Sequence, residues 1–155
     1  MKLRKFNLSD AERVADLVGD YEVSRWTSNI PYPYTVQDAI QWIAMEDSAL
    51  DRTPWAVELD GKVVACVSYW SIGAGQTEIG YWVGRKYWGK GICTQALKMM
   101  LAHDAFPKGD IVIAKVMTEN VGSQRVLTKN DFVCIGEKNI QCRGSEVSSL
   151  LYERR

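Results

Sequence analysis

From Trp55 to Val83 apolar residues recur at about every second position, and the run is broken by Asp60-Gly61. Period two is the signature of extended chain, and Asp-Gly between two such runs suits a two-residue hairpin turn, whose central residues take positive φ. Trp55 to Leu59 and Lys62 to Trp70 are therefore expected to pair antiparallel. After a turn at Gly73-Ala74-Gly75, Glu78 to Val83 adds a third strand. A chain that commits its middle to such a meander cannot be a helical bundle, so the flanks decide the class.

Those flanks mix both periods. Lys2 to Leu8 reads as a strand, and Ser9-Asp10-Ala11-Glu12 reads as a capping box opening a helix with Val14, Leu17, Val18 and Tyr21 on one face. Two prolines in Pro31-Tyr32-Pro33-Tyr34 exclude helix from Trp26 to Tyr34, and Thr35-Val36-Gln37-Asp38 restarts one with Ile40, Trp42 and Ile43. Beyond Gly84 to Gly91 the spacing predicts a helix from Ile92 to Phe106, then a strand, Ile111 to Met117. A short helix from Gly122 to Lys129 and a closing hairpin of Phe132 to Gln141 with Glu146 to Tyr152 follow. The order specifies an α+β fold, a mixed, mostly antiparallel sheet with helices on both faces.

At 155 residues and 17.5 kDa, with 46% hydrophobic residues and 4 prolines, the chain has the size and composition of one globular domain spanning residues 1–155. No apolar run approaches the ~20 residues of a membrane span, and Met1 to Leu8 lacks a signal-peptide core, so a cytoplasmic protein without membrane contact is expected. Cys66, Cys93, Cys134 and Cys142 are isolated and His103 is the sole histidine, a pattern that offers no metal site. Nineteen basic against nineteen acidic residues argue against a nucleic-acid binder. The charge is divided, however: eleven acidic and six basic residues up to Asp60 leave −5 there and +5 beyond. An anionic ligand for the second part and a cationic one for the first is one reading, chance scatter the other.

Chemistry concentrates in Arg85-Lys86-Tyr87-Trp88-Gly89-Lys90-Gly91-Ile92-Cys93-Thr94, between a strand and a helix. Glycines there let backbone N–H groups approach an anion, and the helix start favours phosphate. Gly84, Gly89 and Lys90 match a P-loop in spacing, but Gly91 stands where the magnesium-binding hydroxyl belongs and no later strand offers an Asp in the Walker-B role. A dinucleotide fingerprint fails at Thr94, which replaces its third glycine. Lys86-Tyr87-Trp88-Gly89-Lys90-Gly91 instead resembles the coenzyme A loop of the GNAT superfamily of N-acetyltransferases, Gln/Arg-x-x-Gly-x-Gly/Ala, with Lys86 as a departure. Glu78-Ile79-Gly80-Tyr81-Trp82-Val83 before it, Thr118 to Ser123 leading to Lys129 and Phe132 after it, and Trp26 with Pro31 to Tyr34 upstream resemble the branch containing ribosomal-protein alanine N-acetyltransferases. Asp131 stands where that branch usually has glycine, and Asp tolerates a left-handed turn.

The resemblance implies a splayed sheet with acetyl-coenzyme A in the opening, an amine acceptor (a protein N-terminus or a small molecule), and no metal. It places the cofactor against Trp82 and Val83, with the Val83 N–H as oxyanion donor and pyrophosphate over Gly89, Lys90, Gly91, Ile92, Cys93 and Thr94. Lys86 and Lys90 either add charge there or simply face solvent. Glu78 matches a position where some members carry a general base; a surface carboxylate at a strand end is the alternative. The resemblance assigns Asn120 to the pantetheine arm and Ser123 to protonating the departing thiolate, while an ordinary N-cap role suits either. Cys93 at a helix start is a nucleophile candidate, against plain packing under the loop. Trp26, Tyr32 and Tyr34 lie in segments that line the acceptor entrance in this branch, or else staple the core. A non-catalytic acyl-coenzyme A sensor is the rival from another class, and the sequence leaves the oligomeric state open.

Overall fold

The computed structural model describes residues 1–48 and 52–155, the side chains of 46–48 excepted. Seven strands form one sheet: β1 (Lys2–Arg4), β2 (Arg52–Leu59), β3 (Lys62–Gly73), β4 (Gln76–Val83), β5 (Ile111–Met117), β6 (Val133–Cys142) and β7 (Ser145–Arg154). Their order is β1-β2-β3-β4-β5-β7-β6, and only β4 and β5 run parallel. The hairpin forms at Asp60-Gly61, with φ of 52° and 78°. Pro54 is tolerated inside β2 because β1 pairs only with Ala56 to Glu58, leaving the Pro54 stretch an edge on that side.

Both faces of the sheet are covered, so β2 and β3 read as nearly continuous apolar runs whose two faces serve different cores. Trp55, Val57, Val67 and Ile79 pack under α4 (Ile92–Ala102) and α5 (Val121–Lys129), where Leu97 and Leu127 are fully buried. Ala56 and Cys66 face α1 (Ala11–Val18) and α3 (Val36–Ser48) through Val14, Val18 and Ile43. A single turn, α2 (Tyr21–Ser24), connects the α1 end to the irregular segment before α3.

Several local expectations are corrected. The first strand stops at Arg4, and the capping box lies at Asn7 to Asp10: the Ser9 N–H donates to Asn7 Oδ1 (3.1 Å) and the Asn7 N–H to Asp10 Oδ2 (2.9 Å). Tyr21 belongs to α2 and is exposed, and on α3 Ile43 is buried while Ile40 is not. α4 ends at Ala102, four residues early, because Phe106 turns back to pack edge-on against Tyr69 (4.9 Å) and the Tyr69 hydroxyl holds the Ala105 carbonyl at 3.0 Å. His103 is exposed beyond that end, its ring 4.8 Å from Trp55. Asp131 takes φ of 68°, the left-handed turn anticipated for it.

The Asn7 box is also an acid-sensitive clasp. Arg4 grips Asp10 with both Nη atoms at 2.9 Å and holds its carboxyl below the ordinary range. A depressed folded-state pKa adds stability above the unfolded value of about 3.9, and that stability is lost as pH falls through the folded one. Urea midpoints are therefore expected to drop below about pH 4. Asp10→Asn should lower the pH 7 midpoint and flatten this acid limb.

Candidate active site

The decisive geometry is where β4 parts from β5. Their parallel ladder runs from Gln76↔Ile111 to Ile79↔Ala114 and then stops, although β4 continues to Val83 and β5 to Met117. On its other edge β4 keeps pairing with β3 as far as Ala65↔Val83. The Gly84 N–H donates to the Val64 carbonyl (2.9 Å), so in this antiparallel register the alternate residues Tyr81 and Val83 point their backbone groups away from β3. They point into the splay, where the N–H groups of Tyr81 and Val83 have no ladder partner. Trp88 Nε1 donates to the Val83 carbonyl (2.9 Å) and closes that end.

The opening is continuous with a cleft of about 1670 Å³ that crosses the sheet. On the α4–α5 side it is lined by Gly89, Gly91, Ile92, Cys93, Thr94, Asn120 and Ser123, and on the α1–α3 side by Trp26, Tyr34, Glu78 and Trp82. Gly91 caps α4 at φ of 75° with no side-chain hydrogen bond, and the first intrahelical bond runs from the Gln95 N–H to the Gly91 carbonyl. The N–H groups of Ile92, Cys93 and Thr94 thus have no partner within the helix. Gly89 (φ of 72°) and Gly91 have nothing within 4 Å of an added Cβ, so the backbone is bare toward open space. These donors fit a pyrophosphate without a metal. Among the described residues no group of three His, Cys, Asp or Glu could hold a metal ion.

The remaining site residues divide by position. Ser123 Oγ lies 2.5 Å from the Tyr81 hydroxyl, which also donates to the Ser123 carbonyl at 3.1 Å. Either hydroxyl can be the donor in the short contact, so Tyr81 can resupply a proton that Ser123 gives up. Burial pushes the Tyr81 pKa up, so its hydroxyl stays protonated. Asn120 caps α5, accepting from the Ser123 N–H at 3.3 Å, so the capping role is real and leaves its amide NH₂ without a partner among the described residues. Glu78 pairs with Lys115 of β5 (3.4 Å) and lies mostly out of solvent on the face toward α1–α3. Lys86 and Lys90 are exposed outside the cleft lining, the latter 5.8 Å from the Tyr87 ring centroid. Tyr32 is not brought in either: it stands at the surface with its ring 4.9 Å from Tyr21.

Cys93 sits under the loop with its thiol pushed up to about 12 by burial, a thiol rather than a thiolate at neutral pH. Cys93→Ala is expected to retain turnover within about twofold, because a thiol so rarely ionised is a poor covalent carrier. An acetylated Cys93 trapped by mass spectrometry, with turnover lost in the variant, would overturn this.

Sequence reasoning passed over Tyr81, Lys115, Trp70 and Arg143. Lys115 had a signal, being the one charge in the apolar strand Ile111 to Met117. Arg143, at the β6–β7 tip, had none: its Nη2 donates at 2.7 Å to the carbonyls of both Ser24 and Ile30 and its Nη1 at 3.1 Å to that of Thr27, fastening the segment that carries Trp26. Of the acidic surplus in the first 60 residues, Asp38 lines the cleft among the described residues. Glu58 and Asp10 are spent on Lys2 and Arg4, and Asp38 accepts from Thr35 to cap α3.

A mixed sheet splayed at one parallel pair, with an uncapped helix start beside the opening, is the arrangement that the resemblance to acetyl-coenzyme A-dependent transferases implies. Residues 1–133 match the family described as Acetyltransferase (GNAT) domain. The chain is 30% identical over 141 residues to the uncharacterized N-acetyltransferase p20 of Bacillus licheniformis, covering 85% of this chain and 78% of p20. Its fold is similar to Mycobacterium smegmatis RimJ in complex with CoA-disulfide (TM-score 0.86, 24% identity, 98% of this chain and 80% of that one). It is similar also to the ribosomal-protein-alanine N-acetyltransferase of Brucella melitensis (TM-score 0.78, 18% identity, 99% of both chains). The chain belongs to the GNAT acetyltransferase family, and its activity is acetyl-coenzyme A-dependent N-acetylation. No helix among the described residues is long and apolar enough to cross a membrane.

Proposed function

We propose that this chain acetylates a primary amine by direct attack across the β4–β5 splay. The observation that carries the reading is the end of the ladder at Ile79↔Ala114, which leaves Tyr81 and Val83 N–H groups facing the opening. The thioester of acetyl-coenzyme A supplies an activated acyl group. The α4 start and the Gly89 and Gly91 backbone hold its pyrophosphate, the Val83 N–H meets the carbonyl oxygen as it gains charge, and Asn120 steadies the pantetheine arm.

Attack requires a neutral amine, and Glu78, on the acceptor side, takes the proton directly or through one water. Lys115, 3.4 Å away, holds this carboxylate in place. Ser123, backed by the Tyr81 hydroxyl, gives a proton to the departing thiolate. The acceptor enters past Trp26 and Tyr34, whose hydroxyl burial pushes up to about 12, so it remains a neutral hydrogen-bonding group.

Thermal shift in EDTA with acetyl-coenzyme A, followed by thiol release on adding amines, tests the reading. Binding at a hundredfold excess over Kd should add about 2.7 kcal/mol of stability. Stabilisation without thiol release from any amine would point to a binding module, and no stabilisation would remove the cofactor site.

A further inference from the structure

We infer that the preferred acceptor is a primary amine on an aromatic body with no second cation, a deepening that rests on the function proposed above. Five of the six tryptophans, Trp26, Trp42, Trp70, Trp82 and Trp88, line the one cleft, and only Trp55 lies elsewhere. The register puts six of its lining residues on one face: Trp70 opposite Glu78, Ser68 opposite Gly80, and Cys66 opposite Trp82 on the neighbouring strand. Gly80 makes room for a ring, since an added Cβ would stand 3.0 Å from Trp70 Cη2. Arg52, paired with Trp70 across β2 and β3, lays its guanidinium 4.3 Å from the indole centroid. The floor of the acceptor side is therefore flat, planar-group chemistry rather than a ring of acids.

Charge accounting over the described residues disfavours a polycation. Among the described residues the carboxylates lining the cleft are Glu78, bound to Lys115, Asp38, bound to Thr35, and Glu119, against the cations Arg52, Lys115, Arg125, Lys129 and Lys138. A second ammonium on the acceptor would meet a wall that is net positive among the described residues. An aromatic body, by contrast, gains stacking on the indoles and excludes water around the amine, which favours its neutral, attacking form.

Initial rates with tryptamine, hexylamine, spermidine and an alanine-initiated hexapeptide separate the possibilities, the first three having alkylamines of similar basicity. The kcat/KM for tryptamine should exceed that for hexylamine and spermidine by about tenfold, the scale of one or two ring contacts. Trp70→Leu should raise the KM for tryptamine by several fold more than that for hexylamine, with acetyl-coenzyme A affinity retained. Spermidine or the hexapeptide matching tryptamine overturns the inference, as does an equal loss for tryptamine and hexylamine in the variant. Absence of turnover in every arm overturns it too when acetyl-coenzyme A still raises Tm; if the cofactor fails to bind, the proposed function falls and this inference with it.

Discussion

Glu78→Gln is expected to lower turnover by about 10²–10⁴ with the fold and acetyl-coenzyme A affinity retained. The side chain is isosteric and its ion pair with Lys115, at 3.4 Å, lies on the acceptor side of the sheet, away from the α4 start. The deficit should widen as pH falls, because more of the amine arrives protonated and a base must remove that proton. It should be smaller for a peptide α-amine, with a pKa near 8, than for an alkylamine above 10. Ser123→Ala should cost less, since a thiolate with a pKa of about 8.5 departs without full protonation and the Tyr81 hydroxyl remains behind the gap. pH–rate profiles of both variants with one acceptor decide. An unchanged profile in Glu78→Gln beside abolished turnover in Ser123→Ala would mean that another group receives the proton.

That Glu78 could be singled out at all reflects how local its signals are. Asp60-Gly61 fixes a hairpin by turn chemistry alone, and the register it starts places Arg52 opposite Trp70 and, one strand on, Trp70 opposite Glu78. The coenzyme A loop is equally local, since positive φ at Gly89 and Gly91 and an uncapped helix start are written in six consecutive residues, Lys86 to Gly91. What was not legible depends on distant chain. Asp10 is drawn into the Asn7 box by Arg4, so the cap shifts from Ser9; Phe106 leaves its helix for Tyr69; Tyr32 follows Tyr21 to the surface instead of the cleft. The Lys115 partner of Glu78 exists only because β5 inserts parallel to β4 and before β7, a topology that no period in the sequence encodes. The same crossover ends the ladder at Ala114 and so makes the opening, which is why the resemblance could imply the splay and periodicity could not.

Gly91→Val is expected to raise the KM for acetyl-coenzyme A by about 10- to 100-fold, the loss of one or two charge-assisted hydrogen bonds, while kcat at saturation changes less. The reason is conformational before it is steric. At φ of 75° an added Cβ meets nothing within 4 Å, so the protein can fold around it, but a β-branched residue leaves the left-handed region and turns the Ile92 to Thr94 donors off the phosphate. Gly89→Val, at φ of 72° with the same open surroundings, should behave alike. Gly84→Val is the contrasting control: its Cβ would stand 2.6 Å from Leu17 Cδ2 and 3.3 Å from the Val64 carbonyl, so stability rather than cofactor affinity should fail. Circular dichroism and urea midpoints sort the three variants before any kinetics. A folded Gly91→Val with unchanged acetyl-coenzyme A affinity would take the loop out of the site and leave the α4 start without its assigned ligand.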